Sequence, residues 1–283
     1  MRSRRLAVNG PWDTAAALAL LVAHTIPGAE TTVGNRHRRL LRLGGELVLV
    51  ELLLDDDGIE LTAPGHAFDE AELLVRRWFE LDVDQAARNA HFAADPVIGP
   101  LVAKRPGIRV TAHPDPFEAL LGIVVGQQIS LAGARTMTGR LVAHYGHPGP
   151  GGLRAFPRPV DLAGREVEEL RASCRFMASR ARTLLVVARA AADGLDLSPA
   201  QTPEQLQRTA RELLALPGIG PWTMDFLRLR ALGDSDSFPA GDLVLKKALG
   251  VGTDRAARDL AAAWAPHRSL AAMQLWTEAA YLA

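Results

Sequence analysis

Leu216-Pro217-Gly218-Ile219-Gly220-Pro221-Trp222-Thr223 stands between two helical patterns. A Gly-x-Gly turn between helices lets the backbone fold tightly. It presents N–H groups outward, beside the N-terminus of the next helix. Such a site suits a phosphate, and the contact carries no base identity. The same turn also serves an ordinary αα-hairpin closed by a C-cap glycine, and the motif alone does not separate the two. Downstream comes Phe238-Pro239-Ala240-Gly241-Asp242-Leu243-Val244-Leu245-Lys246-Lys247, with Asp242 twenty positions after Trp222. Asp242 directly precedes the helical run Leu243–Leu249, a position where an aspartate caps a helix.

Outward from this segment, helical periodicity dominates everything after Asp95-Pro96. Phe117, Leu120, Leu121, Ile123, Val124 and Ile129 mark one helical region, capped by Asp115 with Pro116 in its first turn. Met137, Leu141 and Val142 mark a second, and Val167–Leu170, Ala181–Ala191 and Glu204–Leu216 are further helices. A Pro/Gly-rich connector, His147–Gly152, breaks the pattern. Residues 1–95 read differently. Asp13 caps a helix over Thr14–His24. Glu30–Val33, Arg39–Leu43, Glu46–Leu54 and Ile59–Thr62 are strand-like, divided by Gly44-Gly45 and by Asp57-Gly58, and Asp69 starts a second helix. The fold class is therefore a small α+β domain with an antiparallel sheet, residues 1–95, followed by an all-α domain, residues 96–283.

A chain of 283 residues, 48% hydrophobic and 23% charged, has ample material for a buried core. Its formal net charge is +0, which gives no general attraction to phosphate. The acids, however, crowd the first third, and Arg175, Arg180, Arg182, Arg189, Arg228, Arg230, Lys246 and Lys247 come later, so one basic face is compatible with a neutral whole. The single cysteine, Cys174, excludes an internal disulfide framework and a four-cysteine zinc or iron–sulfur site. The basic start Met1-Arg2-Ser3-Arg4-Arg5 is not followed by an apolar signal core, and Ala15–Ala23 is too short to span a bilayer. These features predict a soluble cytoplasmic protein with no membrane partner.

The hairpin, the Gly/Pro-rich stretch and Asp242 together resemble the helix-hairpin-helix DNA glycosylase superfamily. Within it the chain is similar to the bacterial DNA-3-methyladenine glycosylase II branch. The likeness runs over nearly the whole length and includes Arg105-Pro106-Gly107-Ile108-Arg109, the Phe117–Gln127 helix and Trp276 near the C-terminus.

The resemblance implies that Asp242 is the catalytic carboxylate, stabilising the oxocarbenium-like sugar and orienting water. Lyases of the superfamily carry a lysine at the position of Trp222, which would form a Schiff base. Tryptophan cannot, so the resemblance implies a monofunctional enzyme that leaves the strand intact. Trp222 and Trp276 match aromatic positions of the base pocket, and Phe226 matches a tyrosine there. An indole face suits an electron-poor, cationic methylpurine flipped from the helix, whereas core packing is the ordinary fate of each ring. Gln128, next to Gln127, occupies the place of an apolar wedge. Gly218, Ile219, Gly220, Thr223 and Lys246 are implied DNA contacts. Near Ser173–Ser179 the usual Gly-containing turn is replaced by Cys174-Arg175-Phe176-Met177, where Arg175 is either a phosphate contact or a solvated charge.

The implied partner is double-stranded DNA carrying alkylated bases, acted on by a monomer that is nucleoid-associated when bound. No metal or cofactor is implied beyond a monovalent cation at the hairpin carbonyls around Leu216–Ile219. Two other readings stand beside this one: a glycosylase of the same fold for deaminated or other lesions, and a non-catalytic helix-hairpin-helix DNA-binding module.

Overall fold

The structure is a computed structural model and describes residues 1–199 and 202–282. Five antiparallel strands, β1 (Arg2–Leu6), β2 (Glu30–Val33), β3 (Arg36–Leu43), β4 (Glu46–Asp55) and β5 (Gly58–Ala63), form one sheet in the order β1-β5-β4-β3-β2. Alternation along β4 buries Val48, Val50, Leu52 and Leu54, and β5 adds Ile59, Leu61 and Ala63. Helices Thr14–His24 and Phe68–Trp78 cover that face with Ala17, Leu21, Phe68, Ala71, Val75 and Trp78.

Two local expectations are corrected here, and one strand is added. The basic N-terminus is itself a strand: β1 pairs with β5, and Arg2, Arg4 and Arg5 are matched by Asp69, Glu72 and Asp55. The second hairpin turns on Asp56-Asp57, because Gly58 already pairs with Asp55 in the ladder. The helix expected from Asp69 begins one residue earlier, at Phe68, after a short 3-10 turn over Gly65–Ala67.

Beyond the sheet, two helical cores form. One gathers helices Pro116–Gly126, Leu131–Tyr145, Val167–Cys174, Ala178–Ala192, Pro203–Leu214 and Pro221–Arg230. The other gathers Ile98–Lys104, Leu243–Ala248, Asp254–Ala261 and Arg268–Trp276, and it also takes Ala16 and Leu20 from the first helix. The connector expected only to interrupt helices closes a two-residue ladder, β6 (His147–Pro148) with β7 (Arg154–Ala155).

The Arg105–Arg109 run is a seam between these parts. Arg105 bonds Asp13 at 2.8 Å, and the Arg109 guanidinium donates to the carbonyls of Glu80, Val83, Asn9 and Pro11. A side chain at Gly107 would sit 2.2 Å from the Trp12 backbone, so only glycine fits. A second tie is buried. Arg39 of β3 lies between Glu30 and Glu118, the latter on helix Pro116–Gly126. Burial pushes the Glu118 carboxyl up to about 8, against the pull of Arg39.

Candidate active site

Helix Pro203–Leu214 opens with a reciprocal cap between Thr202 and Gln205 and closes on Ala215 as its C-cap, two residues short of the expected end at Leu216. The turn Pro217–Gly220 then delivers the chain into helix Pro221–Arg230, with Gly220 as N-cap and Pro221 in the first turn. Gly218 has φ +88, and a Cβ there would fall 2.0 Å from Thr183 Oγ1 on helix Ala178–Ala192. Both the left-handed backbone and the close approach require glycine. Gln127, just past helix Pro116–Gly126, donates from Nε2 to Gly218 O (3.1 Å) and to Thr223 Oγ1 (3.0 Å). Arg180 in turn donates to the Gln127 carbonyl.

These contacts redistribute the expected DNA-contact residues. Gln127 spends its amide bracing the hairpin. The Thr223 side chain is 2% exposed and meets Gln127, so its hydroxyl does not face a phosphate. The Ile219 side chain is buried, while Gly218 is exposed and Gly220 half-exposed, leaving backbone as the turn's outward surface. Lys246 pairs with Asp254 at 2.7 Å, and the exposed cation on that helix is its neighbour Lys247. Gln128 is exposed with φ +58. Arg175 is exposed at a left-handed helix cap with φ 59, a conformation in which glycine is the usual residue.

Asp242 caps helix Leu243–Ala248. Its Oδ1 accepts from the backbone N–H of Val244 and Leu245, each at 3.0 Å, and from Trp276 Nε1 at 3.0 Å. Its Oδ2 accepts only a long 3.4 Å contact from Trp222 Nε1. Four N–H groups therefore converge on an acceptor-only carboxylate, and three of them take one oxygen. The other oxygen is left nearly free. Capping and catalysis are compatible here: the cap fixes one oxygen and aims the second.

The aromatic residues do gather. Phe226 contacts Trp222 and Trp276, with ring centroids 5.4 and 5.1 Å apart. Trp276, however, is 3% exposed, so it is not an open wall. Its part is to hold Asp242 through its indole N–H, while the half-exposed faces belong to Trp222 and Phe226. Phe226 packs against both helical cores, which places this cluster where they meet. Thr183, against which Gly218 packs, carried no signal of its own in the sequence. Arg230 continues the stripe Trp222, Phe226, Arg230 at four-residue spacing and is buried.

Residues 3–115 match a family model for the AlkA N-terminal domain. Residues 121–251 match the model for HhH-GPD superfamily base excision DNA repair proteins. The chain belongs to this superfamily of helix-hairpin-helix DNA glycosylases. A relative from Mycobacterium tuberculosis, named "Probable bifunctional transcriptional activator/DNA repair enzyme AlkA", is 35% identical over 97% of this chain. The chain spans 56% of that relative's length. DNA-3-methyladenine glycosylase 2 of Escherichia coli K12 is 28% identical, with 94% of each chain covered. Among solved structures, a 3-methyladenine DNA-glycosylase from Archaeoglobus fulgidus superposes over 100% of both chains with a TM-score of 0.80 at 18% identity, which shows the shared fold. Membership accounts for the two-part architecture of an antiparallel sheet with helices followed by a helical hairpin domain. Among the described residues, no helix is long and apolar enough to cross a membrane, and no three His, Cys, Asp or Glu side chains are grouped to hold a metal.

Proposed function

We propose that the chain is a monofunctional glycosylase that hydrolytically removes alkylated purines, of the 3-methyladenine and 7-methylguanine type, from double-stranded DNA in base excision repair. The observation that carries this is Asp242, fixed by four N–H donors beside the phosphate-binding type of hairpin. The backbone of Gly218–Gly220 and the first turn of helix Pro221–Arg230 hold a phosphate; the exposed Arg175 and Lys247 add charge around it. Gln128 enters the gap left by the flipped nucleotide. The extruded base stacks on the half-exposed Trp222 and Phe226.

In the chemical step the C1′–N electron pair leaves with the base, so a cationic methylpurine departs neutral. The free oxygen of Asp242 faces the positive charge that grows on the sugar. A water oxygen then bonds to C1′, and Asp242 is placed to take its proton. No amine stands at Trp222 to attack the sugar, so the product is an abasic site in an unbroken strand. The protein acts as a monomer in the cytoplasm, associated with the nucleoid while bound. A monovalent cation at the Leu216–Ile219 carbonyls belongs to this proposal as a structural ion. Leu216 O and Gly218 O already accept internal bonds but each keeps a second lone pair, which fits a hard cation.

The test is incubation of the purified chain with duplex DNA bearing methylated purines, with a chelator present. Free methylpurine is expected, with strand breaks only after alkali. Binding to this DNA with no base released overturns the enzymatic reading in favour of a binding module.

A further inference from the structure

The chain leaves helix Pro116–Gly126 through a tight turn, Gly126-Gln127-Gln128-Ile129. A long 3.4 Å bond from the Ile129 N–H to the Gly126 carbonyl closes it. Gln127 has φ -55 and ψ 123, and Gln128 has φ +58. This is the pattern of a type II turn, whose third position favours glycine or asparagine. Glutamine stands there instead. Turning over the peptide between Gln127 and Gln128 would give a type I turn, in which Gln128 takes a negative φ without strain. Contacts outside the turn must therefore hold that peptide. A strained backbone sustained by its surroundings is a mark of functional positions.

The holder is Arg180. Its Nη2 donates to the Gln127 carbonyl, the oxygen of that same peptide. Arg180 Nε is buried without a partner among the described residues. Burial works against the guanidinium charge, and no carboxylate offsets it there. What does offset it is the carbonyl end of helix Pro116–Gly126, the negative pole of that helix. The far end of Gln127 is held as well: its side-chain amide donates to Gly218 O at 3.1 Å and to Thr223 Oγ1 at 3.0 Å. Three residues on from Arg180, Thr183 packs against Gly218. Helix Ala178–Ala192 thus grips the turn and the hairpin from one face, and Gln127 ties the two together.

We infer that Arg180 is a positioning residue for base extrusion: it pins the Gln127–Gln128 peptide in the type II orientation and so sets the direction in which Gln128 leaves the chain, relative to the phosphate-holding hairpin. Arg180 acts through Gln128 and not on the reacting atoms. The inference rests on the glycosylase reading, in which Gln128 fills the gap left by the flipped nucleotide, and adds the residue that aims it.

A double-substitution cycle tests this, read by single-turnover release of 7-methylguanine from duplex DNA. Arg180→Met keeps an apolar stem and removes the bond to the Gln127 carbonyl. Release is expected to fall about tenfold, the effect of losing one hydrogen bond from a charged donor. Affinity for an undamaged duplex should change little, because the hairpin backbone holds the phosphate. Gln128→Gly removes the side chain and suits the left-handed backbone, and release should fall at least as far. Arg180→Met should then cost nothing further in the Gln128→Gly chain. Melting curves establish that each variant folds. Arg180→Lys, which keeps the charge but gives up the planar guanidinium, takes the place of Arg180→Met if methionine is not tolerated, with the same silence expected beside Gln128→Gly. Losses that multiply in the double variant overturn the inference and leave the glycosylase reading intact. So does full release by the folded Arg180 variant, or a fall in affinity that accounts for the fall in release. Absence of release by the parent chain overturns both.

Discussion

Replacing Gly218 by alanine tests the hairpin geometry at its tightest point. At φ +88 a non-glycine residue costs about 1–2 kcal/mol of backbone strain. The added methyl would meet Thr183 Oγ1 at 2.0 Å, Cγ2 at 2.9 Å and Cβ at 3.0 Å. Forcing a methyl into a packed site costs about 1–3 kcal/mol. Gly218→Ala should therefore destabilise the fold by about 2–5 kcal/mol and lower Tm by about 5–15 °C. Denaturant titration reads this directly. Thr183→Ala removes the two atoms that clash hardest, so the double variant should regain the steric part and keep the backbone part. A Gly218→Ala chain within about 0.5 kcal/mol of the parent would refute the reasoning. So would a double variant no more stable than the sum of its single changes.

Three further outcomes follow from the site and its surroundings. Trp276→Phe keeps the ring but deletes the 3.0 Å bond to Asp242 Oδ1; base release should fall about tenfold, with DNA affinity unchanged in a filter-binding assay. Borohydride added during turnover should trap no covalent protein–DNA adduct, because Trp222 stands where an amine would be needed; a trapped adduct defeats the monofunctional reading. Burial raises the Asp225 carboxyl to about 6. Its folded value exceeds the unfolded one, so its ionisation takes stability away as pH rises from about 4 through 6. Asp225→Asn should therefore stabilise the chain by about 1 kcal/mol at pH 8, after allowance for solvent screening of a partly exposed group, and by nothing near pH 3; equal gains at both pH values would contradict the assignment.

The elements with strong local signals were legible in the sequence. Asp13, Asp115 and Asp242 cap the helices they were expected to cap, since each side chain satisfies N–H groups within three residues. Strand β1 was not legible, because its Arg2, Arg4 and Arg5 face solvent and carry no apolar alternation; only pairing with β5 makes it a strand. At the site, Asp242, Trp222, Phe226 and Trp276 do come together, but their division of labour was hidden. Nothing local says that Trp276 lends its N–H while Trp222 keeps a half-exposed face. The same holds for Gln127 and Lys246, whose polar ends are taken by Gly218, Thr223 and Asp254 from distant or newly turned chain. His24 and Tyr281 lie 257 residues apart, and only the packing of the first helix on the C-terminal segment joins them.

Asp242→Asn addresses the central claim. Asparagine keeps the shape and leaves one acceptor oxygen for the capping N–H groups, but removes the charge that faces the sugar. Single-turnover release of 7-methylguanine should fall by about 10²-fold or more while binding to the same duplex persists. Release within a few-fold of the parent chain would contradict the account.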